Sequence, residues 1–333
     1  MSRVIRISSV FASTLALCLS ASSLTTALST SQSVSVRNKS PYPTSEFFRS
    51  IEQHILTVDG LRVHYVESGN GRPVVLIHGN AGGAEDFELG TIDLLAREYR
   101  VVAIDRPGHG SSDRPRTKAG SLEFQAQLLH RTLSDLKIAQ PVLVGHSWGA
   151  ALALAYALKY PGDVSAMVLL APPAYPDNRS YRLLRFATGI PVFGELNLVL
   201  GKSLLGRRML RRELARAFYP QIIPDRYFQL VTASWLGRKQ LKASFEDEWT
   251  LNDSLRKMSG LYQNIRIPVE IVTGDQDMIV SPNENAYRLK KAIPESQLIV
   301  LKNTGHEIPL TSPESIYTAL TMLSTSSASI RTD

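Results

Sequence analysis

Gly145-His146-Ser147-Trp148-Gly149 follows the apolar run Val142-Leu143-Val144 and precedes Ala150 to Tyr160, an Ala/Leu-rich stretch closed by Pro161. The first run reads as a buried strand and the second as a helix, so Ser147 falls on the turn between them. A strand that turns straight into a helix crowds the residues on either side of the corner. Glycines at 145 and 149 remove the Cβ atoms that would collide there, and a strained backbone lifts the serine hydroxyl clear of its surroundings. The spacing thus has a mechanical cause, although G-x-S-x-G taken alone also fits a serine that caps a helix. The rest of the chain must supply the groups that would make Ser147 a nucleophile.

Two later segments do so. Val269 to Thr273 reads as a strand ending in Gly274-Asp275-Gln276-Asp277-Met278, and Gln297 to Leu301 as a strand followed by Asn303-Thr304-Gly305-His306. A serine hydroxyl is a weak nucleophile near neutral pH, so an imidazole must take its proton, and a carboxylate must hold that imidazole in the right tautomer. His306 is the expected base. Asp275 and Asp277 both lie close enough to orient it. Asp275, still near the strand end, is expected to accept backbone N–H groups and brace the turn. Asp277, further along the loop, has the reach for the histidine.

Acyl chemistry also needs a cradle for an oxygen that becomes negative. Pro73 to Ile77 reads as a short buried strand running into His78-Gly79-Asn80-Ala81-Gly82-Gly83, with one helix expected from about Ala84 to Arg97. Such a loop exposes backbone N–H groups. The N–H of Asn80 and that of Trp148, just after the serine, are the expected oxyanion donors, and the Asn80 side chain is a candidate third. A plain tight turn is the alternative. A phosphate loop is not, because no Lys-Ser/Thr pair follows the glycines.

With these motifs in place the chain resembles the α/β-hydrolase superfamily over roughly residues 50–325, and the order serine, acid, histidine is that of the family. Asp105-Arg106-Pro107-Gly108-His109-Gly110-Ser111-Ser112 is similar to the D-x-x-G-x-G-x-S turn of capped members, where its role is mainly structural. G-D-x-D-x-x-V at 274–280 resembles members in which the second aspartate is the triad acid, which again points to Asp277. The resemblance implies an α/β fold with a mostly parallel, eight-stranded sheet flanked by helices and a helical cap. Capped haloalkane dehalogenases and epoxide hydrolases use an aspartate where this chain has Ser147. Serine supports acyl transfer, and their carboxylate attack on carbon is disfavoured here.

The chain has 333 residues, 44% hydrophobic and 20% charged, enough for one large capped domain. Gln53 to Glu67, with Asp59-Gly60 at its centre, reads as a hairpin, and strands near 74, 101, 142, 164, 269 and 297 alternate with helices. Residues 46–171 and 263–325 form the expected core, 172–262 a helical cap inserted in it, and 326–333 a tail. Tyr181, Phe186, Phe193, Phe218, Tyr219, Trp235, Phe245 and Trp249 of the cap could roof a pocket for an apolar acyl or alcohol group, or pack the cap's own core. The cap holds 15 Lys+Arg against 8 Asp+Glu, an excess equal to the whole chain's formal +7. Arg207, Arg208, Arg211, Arg212 and Arg216 lie beside Leu210, Leu214 and Phe218, a pattern that suits an anionic membrane surface or a solvated helix face. No recognised nucleic-acid module accompanies the charge.

Residues 1–45 read as a targeting segment and linker. Arg3 and Arg6 precede Val10 to Leu19, in which eight of ten residues are apolar, and Thr25-Thr26-Ala27 is a tolerable cleavage site. Export is the leading expectation, with an uncleaved membrane anchor and an organellar transit peptide as alternatives. Cys18 is the only cysteine, so the mature chain would carry no disulfide, cysteine nucleophile or thiolate metal site. The histidines show no H-E-x-x-H or similar spacing, and neither a metal nor another cofactor is expected. The expected function is hydrolysis of a carboxylic ester through an acyl-enzyme. Carbon–carbon bond hydrolysis and cofactor-free haloperoxidase or perhydrolase chemistry share the same triad, and a non-catalytic ligand-binding scaffold belongs to a second class.

Overall fold

Asp59 and Gly60 both adopt positive φ, 51° and 77°. They close a tight hairpin between β1 (Glu52–Val58) and β2 (Leu61–Ser68). A computed structural model of the chain describes residues 52–116, 119–177, 204–235 and 237–329. The N-terminal segment read as a targeting sequence lies outside these residues, as do Tyr181, Phe186 and Phe193. Among the described residues no helix is long and apolar enough to cross a membrane.

After the hairpin come β3 (Arg72–Ile77), β4 (Tyr99–Ile104), β5 (Val142–His146), β6 (Ala166–Leu170), β7 (Val269–Gly274) and β8 (Ser296–Leu301). They join β1 and β2 in one eight-stranded sheet of order β1-β2-β4-β3-β5-β6-β7-β8. β1–β2 and β2–β4 pair antiparallel; every other neighbour pair is parallel. β5, β6 and β7 are buried at every residue, as strands must be when helices cover both faces. Alternate residues divide between two cores. Val75, Ile77, Leu143, Met167, Leu169 and Ile271 pack with α3 (Leu122–Asp135) and α4 (Trp148–Lys159). Val74, Leu76, Val142, Val144, Val168 and Val272 pack with the last helix, Pro313–Ser329, which runs four residues past the expected core boundary.

The single helix expected over 84–97 is two short ones, α1 (Glu85–Glu88) and α2 (Thr91–Leu95). Gly90 between them has φ 122°, a backbone state that no helix continues through. Between β6 and β7 the described residues form α5 (Leu204–Phe218), α6 (Asp225–Ser234) and α7 (Arg238–Met258), then a 3-10 turn over Ser259–Asn264. Leu214 and Phe218 of α5 bury against Tyr227, Phe228 and Val231 of α6 in a small core of their own. α7 lies over the loops that follow the strands. The Gln240 amide donates to the carbonyls of Ala81 and Gly82 and accepts from the Gly110 N–H. The remaining helices are α8 (Ala286–Ala292), α9 (Ile308–Thr311) and α10 (Pro313–Ser329).

Candidate active site

Ser147 sits at φ 51° and ψ −120°, between the end of β5 and the first residue of α4. Its N–H donates to Leu170 O on β6 (2.8 Å), and its carbonyl accepts from Ala150 and Ala151, so the strained turn is fastened on both sides. A Cβ on Gly149 would lie 2.2 Å from Ile77 O, and one on Gly145 would lie 2.4 Å from Gly149 O. Only glycine permits that approach of β3, β5 and α4. Every neighbour of Ser147 from 141 to 154 is buried; Ser147 alone is partly exposed. The helix begins at Trp148, two residues earlier than the sequence reading, because the elbow itself is its start.

His306 and Asp277 come together from the loops after β8 and β7. His306 Nδ1 donates to Asp277 Oδ2 at 2.8 Å, with both side chains almost wholly buried. Asp277 Oδ1 accepts the N–H groups of Ile279 (2.8 Å) and Val280 (2.9 Å). Asp277 thus makes both contacts that the sequence reading had divided between two aspartates, one to the histidine and one to the turn. The bracing role expected of Asp275 is corrected: its Oδ1 is buried with no partner, and its Oδ2 lies 3.8 Å from Lys302. The two loops are stitched by Asp275 N–H to Leu301 O and Gln276 N–H to Thr304 O. Gly274 allows this closeness, since a Cβ there would lie 2.2 Å from Thr304 O. Burial pulls the His306 pKa down, but the Asp277 charge, its hydrogen bond and nearby Glu307 outweigh that and leave it raised.

His146 is the second imidazole here, with its ring centroid 5.0 Å from that of His306. Its Nε2–H donates to the His306 carbonyl (3.0 Å), and its Nδ1 is buried without a partner. Burial, and next the His306 charge, push its pKa down to about 3, so it stays neutral. The loop after β3 completes the setting. A Cβ on Gly79 would lie 3.3 Å from Ser147 Cβ, so this loop runs directly beside the serine. The Asn80 side chain, expected as a third donor, is committed elsewhere: its Nδ2 donates to Ser244 O (3.0 Å) and Glu248 Oε2 (3.3 Å) on α7. Backbone N–H groups remain the candidates. Trp148, as the first residue of α4, has an N–H that helix geometry leaves without an intrahelical acceptor.

A buried ion network that the sequence reading missed lies behind these loops. Arg106 donates to Asp247 Oδ2 (2.5 Å), Gln125 Oε1 (3.1 Å) and Gly79 O (2.9 Å), and its guanidinium carbon stands 4.0 Å from the Trp148 ring centroid. Asp247 is fully buried on α7 and also meets Arg114 and His109. The acidic member of the turn, Asp105, has the structural role expected: it accepts from His64, Ala84 N–H and Ser111 N–H. Arg106 belongs to the turn at residues 105–112, whereas Asp247 carries no local sequence signal. Phe218, Tyr227 and Phe245 are buried, Trp235 and Trp249 half-buried, and Tyr219 half-exposed.

The profile of the alpha/beta hydrolase fold family matches residues 72–313. An uncharacterized hydrolase of Bacillus subtilis, YugF, is 32% identical over 78% of this chain and 93% of its own. Lipase 1 of Psychrobacter immobilis is 28% identical over 74% of this chain and 75% of its own. Among solved structures, Cfl2 from Burkholderia cenocepacia superposes with a TM-score of 0.69 at 27% identity, covering 83% of this chain and 96% of its own.

Proposed function

Since the chain belongs to the alpha/beta hydrolase fold family, we propose that this hydrolase cleaves a carboxylic ester, or a related acyl substrate, through an acyl-enzyme on Ser147. Ser147 Oγ attacks the carbonyl carbon while His306 Nε2 takes its proton; the same nitrogen then returns the proton to the departing alcohol. A water deprotonated by His306 attacks the acyl-enzyme, the acid leaves, and Ser147 regains its proton. The negative oxygen of both tetrahedral intermediates accepts from the N–H groups of Asn80 and Trp148. Asp277 keeps the imidazole oriented and stabilises the imidazolium. The helices between β6 and β7 act as a cap over the site and favour an apolar acyl group.

The observation that carries this reading is the bond from His306 Nδ1 to Asp277 Oδ2 at 2.8 Å, which leaves Nε2 as the free proton acceptor in the neutral ring. The likeness to Lipase 1 supports an ester rather than another acyl compound. The test is a fluorophosphonate probe followed by peptide mass spectrometry, beside turnover of an ester panel. One adduct on Ser147, absent from Ser147→Ala, is expected. Labelling of Ser147→Ala at an unchanged rate, with the adduct on another residue, removes the assignment.

A further inference from the structure

The carbonyl of Gly79 and the N–H of Asn80 belong to one peptide unit, and in a trans peptide they point in opposite directions. Fixing the oxygen therefore aims the N–H. Gly79 O accepts from Arg106 Nη2 at 2.9 Å and from His78 Nδ1 at 2.8 Å. The second bond sets the His78 tautomer, because His78 Nε2 accepts the Arg106 N–H at 2.9 Å. Burial, then the charges of Arg106 and His109, hold His78 well below its ordinary pKa, so the ring stays neutral and keeps that tautomer. Ser147 lies beside this peptide, since a Cβ on Gly79 would stand 3.3 Å from Ser147 Cβ.

From this arrangement the geometry points to Arg106 as the positioning residue of the oxyanion site, locked in place by Asp247 of α7. Arg106 acts on both donors. It holds the peptide plane that aims the Asn80 N–H, and its guanidinium lies against the Trp148 ring. Asp247 binds the guanidinium through its carboxylate and accepts the Trp148 indole N–H through its carbonyl at 3.3 Å. A charged donor on a carbonyl polarises the whole amide, so the N–H at its other end becomes a stronger donor to a developing oxyanion. Arg106 is buried and all three of its guanidinium nitrogens donate to protein acceptors, Nε to His78 O, Nη1 to Gln125 and Asp247, and Nη2 to Gly79 O, so its part is to position rather than to bind substrate. Its effect should be confined to states in which the oxygen carries charge.

This assignment rests on the acyl-enzyme reading, and the experiment separates the two. Arg106→Met, Arg106→Lys and the isosteric Asp247→Asn are compared with the wild type for kcat, KM, thermal midpoint and inhibition by an alkyl boronic acid, whose tetrahedral adduct mimics the charged intermediate. Arg106→Met should lose about 100-fold in kcat, comparable with loss of one oxyanion donor. KM should stay within about threefold, and boronate affinity should fall by the same factor as kcat/KM. Arg106→Lys, which keeps a charged donor, should recover part of both. Should Arg106→Met fail to fold, Asp247→Asn carries the test, with a loss of about tenfold divided in the same way. Unchanged boronate affinity in folded variants of a wild type that labels on Ser147 overturns the role of Arg106. A wild type that does not label on Ser147 overturns the acyl-enzyme reading and this role with it.

Discussion

At the scale of single residues, the proposed acyl-enzyme route makes the pH dependence of turnover follow from one imidazole, that of His306. Its net pKa is raised above 6.5 because Asp277 and Glu307 outweigh the burial penalty. The general base must be neutral, so kcat/KM should fall as pH drops through a midpoint above 6.5 and stay level above it. In Asp277→Asn the charge is gone and burial remains, so that midpoint should move down while turnover at its optimum falls about ten-thousandfold. Asp275→Asn should change neither by more than about threefold, since the Asp275 carboxylate has no bond to the histidine. A rate profile on one soluble ester from pH 5 to pH 9 checks both. Equal loss in the two variants would mean that the loop, and not the carboxylate at 277, carries the effect. Ser147→Ala and His306→Ala should each lower turnover by about four to six orders of magnitude and the double variant little further, because in the proposed route the two act on one proton transfer.

Between elements, close approaches decide what can change. A methyl on Gly149 would stand 2.2 Å from Ile77 O and 2.6 Å from His78 O. Both are backbone atoms of the β3 strand end, so β3 would have to move away from the elbow. Gly149→Ala should therefore cost about 3 kcal/mol or more in urea unfolding, above the usual 1–3 of overpacking. A loss under about 1 kcal/mol would show that the elbow can relax. The same elements mark how far the sequence could be read. Strand, elbow and helix around Ser147 were legible because each local preference agreed, and so were the loops ending at Asp277 and His306. Helix 84–97 was not, because Gly90 sits in an otherwise helical pattern and only its φ reveals the break. The Asn80 side chain was misread for another reason: its partner, Ser244 O, is 164 residues away, and spacing carries no information on such a contact.

For the whole molecule, the sheet carries a cost that is invisible from the site. Glu270 of β7 is 2% exposed, and its Oε2 has no partner. Burial, partly offset by Lys290, raises its pKa to about 7. Below pH 4.5 the carboxyl is neutral in both folded and unfolded chains and has no effect. Between 4.5 and 7 the unfolded chain ionises first and stability drops; above 7 the penalty is complete. Glu270→Gln should thus raise the thermal midpoint, and more at pH 8 than at pH 5, as calorimetry at the two values would measure. A gain that is the same at both would assign the effect to packing alone. The ion network of Arg106 and Asp247, 141 residues apart, was illegible for the reason that hid the Asn80 contact, and so was the tie between the histidine loop and the helices between β6 and β7. His306 N–H donates to Ala217 O at the end of α5 with a length of 2.8 Å. That tie bears on recombination. Exchanging residues 172–262 for the matching segment of a relative would trade part of the histidine's own scaffold together with the specificity it was meant to alter. A graft that retains residues 217–219 and replaces the rest is the one that leaves the proton path with its original host.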